Sequence, residues 1–139
     1  MEPTAESSLL SVIERIREAI NRHDLDALAT CFATDYASAF PTHPDRAFGG
    51  VEQMRRNWSR IFAAVPNIQA ELLRWATRDN TIWAEWEWRG ILASGAPFLQ
   101  RGVTIHGVEH GVTAWVRLYM EPVRDDAPGI EALEGSVSQ

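Results

Sequence analysis

The chain has 139 residues, 45% of them hydrophobic and 23% charged, the balance of one globular domain large enough to bury its own core. Its single cysteine, Cys31, excludes an internal disulfide, and no apolar run approaches the roughly 18 residues that span a bilayer. The formal charge is −6, and Asp125, Asp126, Glu131 and Glu134 near the C-terminus account for much of it, so neither nucleic acid nor a membrane is expected as a partner.

The opening Met1-Glu2-Pro3-Thr4 lacks the basic start and apolar core of a signal peptide, and a cytoplasmic location is expected. Leu9, Ile13, Ile16 and Ile20 then recur at the spacing of an amphipathic helix, with Thr4 as its N-cap. After a short break at Asn21-Arg22-His23, Asp24 caps a second helix whose apolar face is Leu25, Leu28, Ala29 and Phe32. Cys31 falls in this apolar stretch and reads as a buried thiol. Residues 40–50, with two prolines and two glycines, read as a loop. A third helix, from about 51 to 65, carries Met54, Trp58, Ile61, Phe62 and Val65 on one side and stops at Pro66. Its Arg55, Arg56 and Arg60 read as a solvated outer face.

From Asn67 the period changes from helical to alternating. Four strand-like runs, 68–77, 82–92, 98–108 and 112–122, are separated by short turn-rich breaks, so they predict an antiparallel meander. Helices followed by strands predict an α+β domain over residues 1–123, with a flexible acidic tail over 124–139.

Pairing Val108 with Val112 across the last turn places His106 opposite Ala114, Thr104 opposite Val116, Gly102 opposite Leu118 and Gln100 opposite Met120. Arg101, Val103, Ile105, Trp115, Arg117 and Tyr119 then share the other face, and a bulge would shift this register. In the run from Trp83 to Arg89, Trp86 and Trp88 lie on one side and Glu85, Glu87 and Arg89 on the other. Two carboxylates at i and i+2 perturb each other if buried; in water they are a solvated face.

The order of these elements, with the helix break at Asn21-Arg22-His23-Asp24, the strand Ala84-Glu85-Trp86-Glu87-Trp88-Arg89-Gly90, Arg101-Gly102-Val103 and Arg117-Leu118-Tyr119-Met120-Glu121-Pro122, resembles the SnoaL-like group of the nuclear transport factor 2-like superfamily. The resemblance covers about residues 5–123 and implies a curved antiparallel sheet, an α+β cone closed by helices around a pocket, and often a homodimer. The family includes ketosteroid isomerases, epoxide hydrolases, polyketide cyclases and members with no chemistry, so the fold does not choose the function. The tyrosine and two acids of the isomerases fall here on Ile16, Phe40 and Gly102. The epoxide hydrolase positions read Glu85, Glu87 and Leu118, and the cyclase acid falls on Glu121.

Two readings follow. As a cofactor-independent enzyme, the protein would isomerise, cyclise or open an epoxide on an apolar polyketide- or terpenoid-like substrate, with Glu87 as general base, Glu85 sharing its proton and His106 as a second proton carrier. Phe40, Trp58, Trp83, Thr104, Leu118 and Met120 would line its pocket, with Thr104 able to hydrogen-bond a developing oxyanion. The alternative is a non-catalytic ligand-binding or dimeric scaffold module, in which Trp86, Trp88 and Trp115 serve dimerisation, Arg117 and Tyr119 pack at the interface, and His106 is a satisfied strand residue. No cofactor or metal is expected, since His23, His43, His106 and His110 show no ligand spacing.

Overall fold

A computed structural model describes residues 4–124, 129 and 130. Helix α1 (Ala5–Asn21) starts where expected: the Thr4 hydroxyl accepts the Ser7 N–H at 3.0 Å, and Leu9, Val12, Ile13, Ile16, Ala19 and Ile20 are buried. The chain reverses at His23, whose φ of 54° lies in the left-handed region. Asp24 then caps α2 (Leu25–Ala29) by accepting the Ala27 N–H at 3.0 Å. Asn21 ties the end of α1 to the sheet, accepting from Ala70 N at 2.6 Å and donating to Ala70 O at 3.1 Å.

The second helix is shorter than its apolar spacing predicts. It ends at Ala29, and Phe32 opens a strand, β1 (Phe32–Ala39). That strand went unread because Ala33, Ala37 and Ala39 blur the alternation, although Tyr36 and Ser38 are buried on either side of exposed Ala37. The 40–50 segment is likewise more than a loop: a 3₁₀ turn at Pro44–Arg46 leads into β2 (Phe48–Gly49), which pairs with β1. Helix α3 (Val51–Ala64) follows, and β3 (Gln69–Arg78), β4 (Thr81–Ile91), β5 (Pro97–Glu109) and β6 (Val112–Pro122) complete the chain.

The sheet order is β2-β1-β6-β5-β4-β3. The meander is present, but β1 runs parallel to β6, so the sheet is mixed rather than wholly antiparallel, and it remains open. The β5–β6 hairpin turns on two residues, His110 and Gly111, with φ of 54° and 77°, so Glu109 rather than Val108 meets Val112. A bulge at Ala114 then shifts the register again, setting His106 opposite Val116, Thr104 opposite Leu118 and Gly102 opposite Met120. Each offset alone would exchange the faces; together they slide the strands and leave the faces as the alternation predicts.

The α+β architecture is as predicted, with the helices on one face of the curved sheet and the core between them. Most of the acidic tail read over 124–139 lies outside the described residues. Among the described residues, no helix is long and apolar enough to cross a membrane.

Candidate functional site

Between the helices and the inner face of the sheet lies a cavity of about 260 Å³. Alternate residues of β4, β5 and β6 form its floor: Trp86, Trp88, Gln100, Thr104, His106, Val116, Leu118 and Met120. Ile16, Ile20 and Leu28 come from the first two helices, Met54, Trp58 and Ile61 from α3, and Phe32, Tyr36, Ser38, Phe40 and Phe48 from β1, β2 and the segment after β1. The wall is strongly aromatic. Trp58 meets Trp88 edge-on at 5.5 Å, Trp86 lies 6.4 Å from Trp88, and Tyr36 packs between Phe32 at 4.7 Å and Phe48 at 5.9 Å.

Six of the nine residues singled out from the sequence line this cavity: Phe40, Trp58, Thr104, His106, Leu118 and Met120. Three do not. Glu85, Glu87 and Trp83 occupy the odd-numbered positions of β4, whose side chains project from the outer face. Glu87 accepts from Arg101 Nε at 2.9 Å and Arg89 at 3.1 Å, and Glu85 pairs with Arg74 at 3.2 Å. The Arg101 hydrogen bond, reinforced by Arg89, holds the Glu87 carboxyl below the usual carboxylate range, the reverse of what a base poised near neutrality needs. Trp83 is 37% exposed. Of the three tryptophans assigned to a dimer face, Trp86 and Trp88 sit instead on the inside, buried, while Trp115 is half-buried.

His106 is inside but chemically quiet. Its Nε2 lies 2.8 Å from Thr104 Oγ1 and its Nδ1 3.0 Å from Thr113 Oγ1, while Thr104 Oγ1 also accepts from Trp86 Nε1 at 2.8 Å. Burial pushes the imidazole pKa down to about 3, so the ring is neutral at physiological pH. With each ring nitrogen bonded to a threonine hydroxyl, the neutral imidazole acts as a strut between Thr104 and Thr113. Thr113, overlooked in the sequence, completes this buried chain of hydrogen bonds.

The isomerase positions Ile16 and Phe40 present hydrocarbon to the cavity. Among the described residues no carboxylate lines it, and Arg46, exposed at its edge, is the one permanently charged lining group. The cyclase position, Glu121, lies outside the lining, beside Arg101 on the outer face of the β5–β6 pair. There its carboxylate bonds His43 Nε2 at 2.7 Å and accepts from Thr42 Oγ1 at 3.2 Å. Bonding to His43 lowers the Glu121 pKa.

Tyr36, Ser38 and Arg46 are lining residues that sequence reasoning missed. Once residues 32–39 are seen as a strand, the i, i+2 spacing of Tyr36 and Ser38 is the signal that finds the first two.

The sequence profile of the SnoaL-like domain matches residues 13–118. AclR from Streptomyces galilaeus superposes with a TM-score of 0.74 at 13% identity, over 95% of this chain and 91% of its own. An LEH-like epoxide hydrolase from M. tuberculosis gives 0.71 at 13% identity, over 83% and 84%. A protein of ketosteroid isomerase-like fold from Catenulispora acidiphila, crystallised with trimethylamine, gives 0.68 at 17% identity, over 76% and 82%. No curated protein sequence matches the chain.

Proposed function

The chain belongs to the SnoaL-like family of the nuclear transport factor 2-like superfamily, and from that premise we propose that it binds a compact, largely apolar organic molecule in the cavity between helices and sheet. The observation that carries this reading is the character of the lining: an aromatic and aliphatic wall holding hydroxyl, amide and neutral imidazole groups, with no carboxylate among the described residues. Neutral polar groups orient a ligand without moving its protons, which favours the binding module over the acid–base catalyst with Glu87 as base.

Thermal melts and tryptophan fluorescence with steroids, terpenoid epoxides and aromatic polyketides test it. Trp58, Trp86 and Trp88 report directly on occupancy, and a ligand at a hundred times its Kd stabilises the native state by about 2.7 kcal/mol. Failure of every class to shift either signal counts against an open cavity.

One observation favours a second reading. The His43–Glu121 pair, with its 2.7 Å contact, is an acid–base couple beside Arg46 outside the cavity wall, and it would serve a substrate reaching out of the mouth. Glu121→Gln should then abolish turnover while leaving binding intact; unchanged turnover removes the pair from the chemistry. We also infer a homodimer through the outer face of the sheet, where Trp83 is exposed, and sedimentation of the purified protein tests this.

A further inference from the structure

The two ends of the cavity differ in what their polar groups have left to offer. Around His106 everything is spent: Trp86 Nε1, Thr104 Oγ1, His106 and Thr113 Oγ1 bond one another. The other end is built where Gln100 pairs with Trp88 on β4 and with Pro122 on β6. Trp88 meets Trp58 there at 5.5 Å, and Asn57 precedes Trp58 on α3. Arg46 belongs to the same end, since its charge acts on Glu121, the neighbour of Pro122. Arg46, Asn57, Trp88 and Gln100 all line the cavity.

What these side chains have left over is hydrogen-bond donors. Trp88 Nε1 is the one buried side-chain nitrogen or oxygen among the described residues without a partner. Asn57 spends its oxygen on Gln53 at 2.8 Å, and its NH2 group is unused. The Gln100 side chain makes no hydrogen bond, and the Arg46 guanidinium neither a hydrogen bond nor an ion pair, with a described residue.

A surplus of donors around a guanidinium calls for an anionic acceptor, and a carboxylate fits it best. The wall supplies none among the described residues: Glu121 lies on the outer face, held by His43 at 2.7 Å and Thr42 at 3.2 Å. Because Arg46 is exposed at the edge, an acid meeting it keeps part of its hydration, and the cost of burying a charge is largely avoided. The formal charge of −6 repels anions from the rest of the chain, so a preference for an acid has to arise at this end.

We propose that the cavity takes an amphiphilic carboxylic acid, its apolar body against the aromatic wall and its carboxylate at the Arg46 end, where Arg46 pairs with it and Asn57 and Gln100 donate to it. This assignment rests on the cavity-binding reading above and adds the charge and the orientation of the ligand.

Calorimetric titration of the full chain with 1-naphthylacetic acid and 1-naphthylacetamide separates the two, because the compounds share a body and a shape and differ in charge at neutral pH. The wild type should bind the acid about fivefold or more tightly at low salt, and the preference should shrink as salt is added. Arg46→Gln should erase the preference and leave the affinity for the amide unchanged, while Arg46→Lys should keep part of it. Arg46 is exposed, so neither variant disturbs the core. Equal affinity for acid and amide in the wild type, or a preference that survives Arg46→Gln, overturns the carboxylate assignment and leaves the cavity reading intact. Binding of neither compound overturns the assignment as well. If the steroids, terpenoid epoxides and aromatic polyketides are also silent, the cavity reading falls with it.

Discussion

The two faces of β4 are made from one stretch of chain and have opposite fates. Ile82, Ala84, Trp86 and Trp88 are buried against the helices, whereas Trp83, Glu85, Glu87 and Arg89 meet solvent and the ion pairs of the outer face. Neighbouring residues one position apart therefore experience different dielectrics. The consequence is plain in the ionisable groups: burial drives His106 on the inner face to its neutral form, while arginine contacts hold Glu87 on the outer face ionised. Both are stable states, and neither is poised for proton transfer near neutrality. A pair of carboxylates two apart on a strand is thus no sign of catalysis until the face is known.

The largest test of the contrast is truncation. Trp86→Ala should cost about 3–5 kcal/mol in urea unfolding, because it empties a buried site and removes one of the two hydrogen bonds to Thr104 Oγ1. Trp83→Ala, on the other face, should cost about 1 kcal/mol or less. Similar losses for the two would mean that the faces are not distinguished as described.

Acid titration is the next sharpest. Native His106 takes up its proton near pH 3 instead of 6.5, so between those values the unfolded chain binds a proton that the native one does not. The resulting stability is present above pH 6.5 and is lost as pH falls toward 3, at up to about 1.4 kcal/mol per pH unit. Its steepness should be reduced in His106→Gln, measured by urea unfolding at several pH values. Parallel curves for variant and wild type would refute a neutral buried imidazole.

Gly102 probes the contact between β5 and β6 that holds the cavity floor. A Cβ there would come 1.9 Å from the Tyr119 carbonyl oxygen, a backbone atom that cannot swing aside. Gly102→Ala should therefore destabilise by about 1–3 kcal/mol, read as a lower urea midpoint with the slope unchanged. The smallest expected effect is that of Glu87→Gln. It loses contacts with Arg89 and Arg101, so the melting temperature should fall slightly and ligand affinity should not change. A large loss of ligand affinity would return Glu87 to the site.

Much of this arrangement is legible from local pattern. The stripe Leu9, Ile13, Ile16, Ile20, the caps Thr4 and Asp24, and the alternation in the last three strands are near-neighbour properties, and they appear in the structure as read. The same alternation correctly puts Thr104, His106, Leu118 and Met120 on one face, and all four line the cavity. Alternation, however, separates two faces without saying which is inside. For β4 that depends on the α1 and α3 side chains that cover Trp86 and Trp88, a long-range fact, and the opposite assignment sent Glu85 and Glu87 to the wrong side.

Strand β1 was hidden for a related reason. Its alanines suit helix and strand alike, and its identity comes from pairing with β6, more than seventy residues away in the chain. The sequence by itself determined helices α1 and α3, the four strands of the meander, the caps Thr4 and Asp24 and the parity of β4, β5 and β6, because these follow from side-chain spacing and backbone chemistry within a few residues. Only the tertiary structure decided which parity faces the cavity, that β1 closes its side with Tyr36 and Ser38, and that His106 is neutral. Each of these depends on what distant segments place against a side chain, and burial and hydrogen bonding act through space.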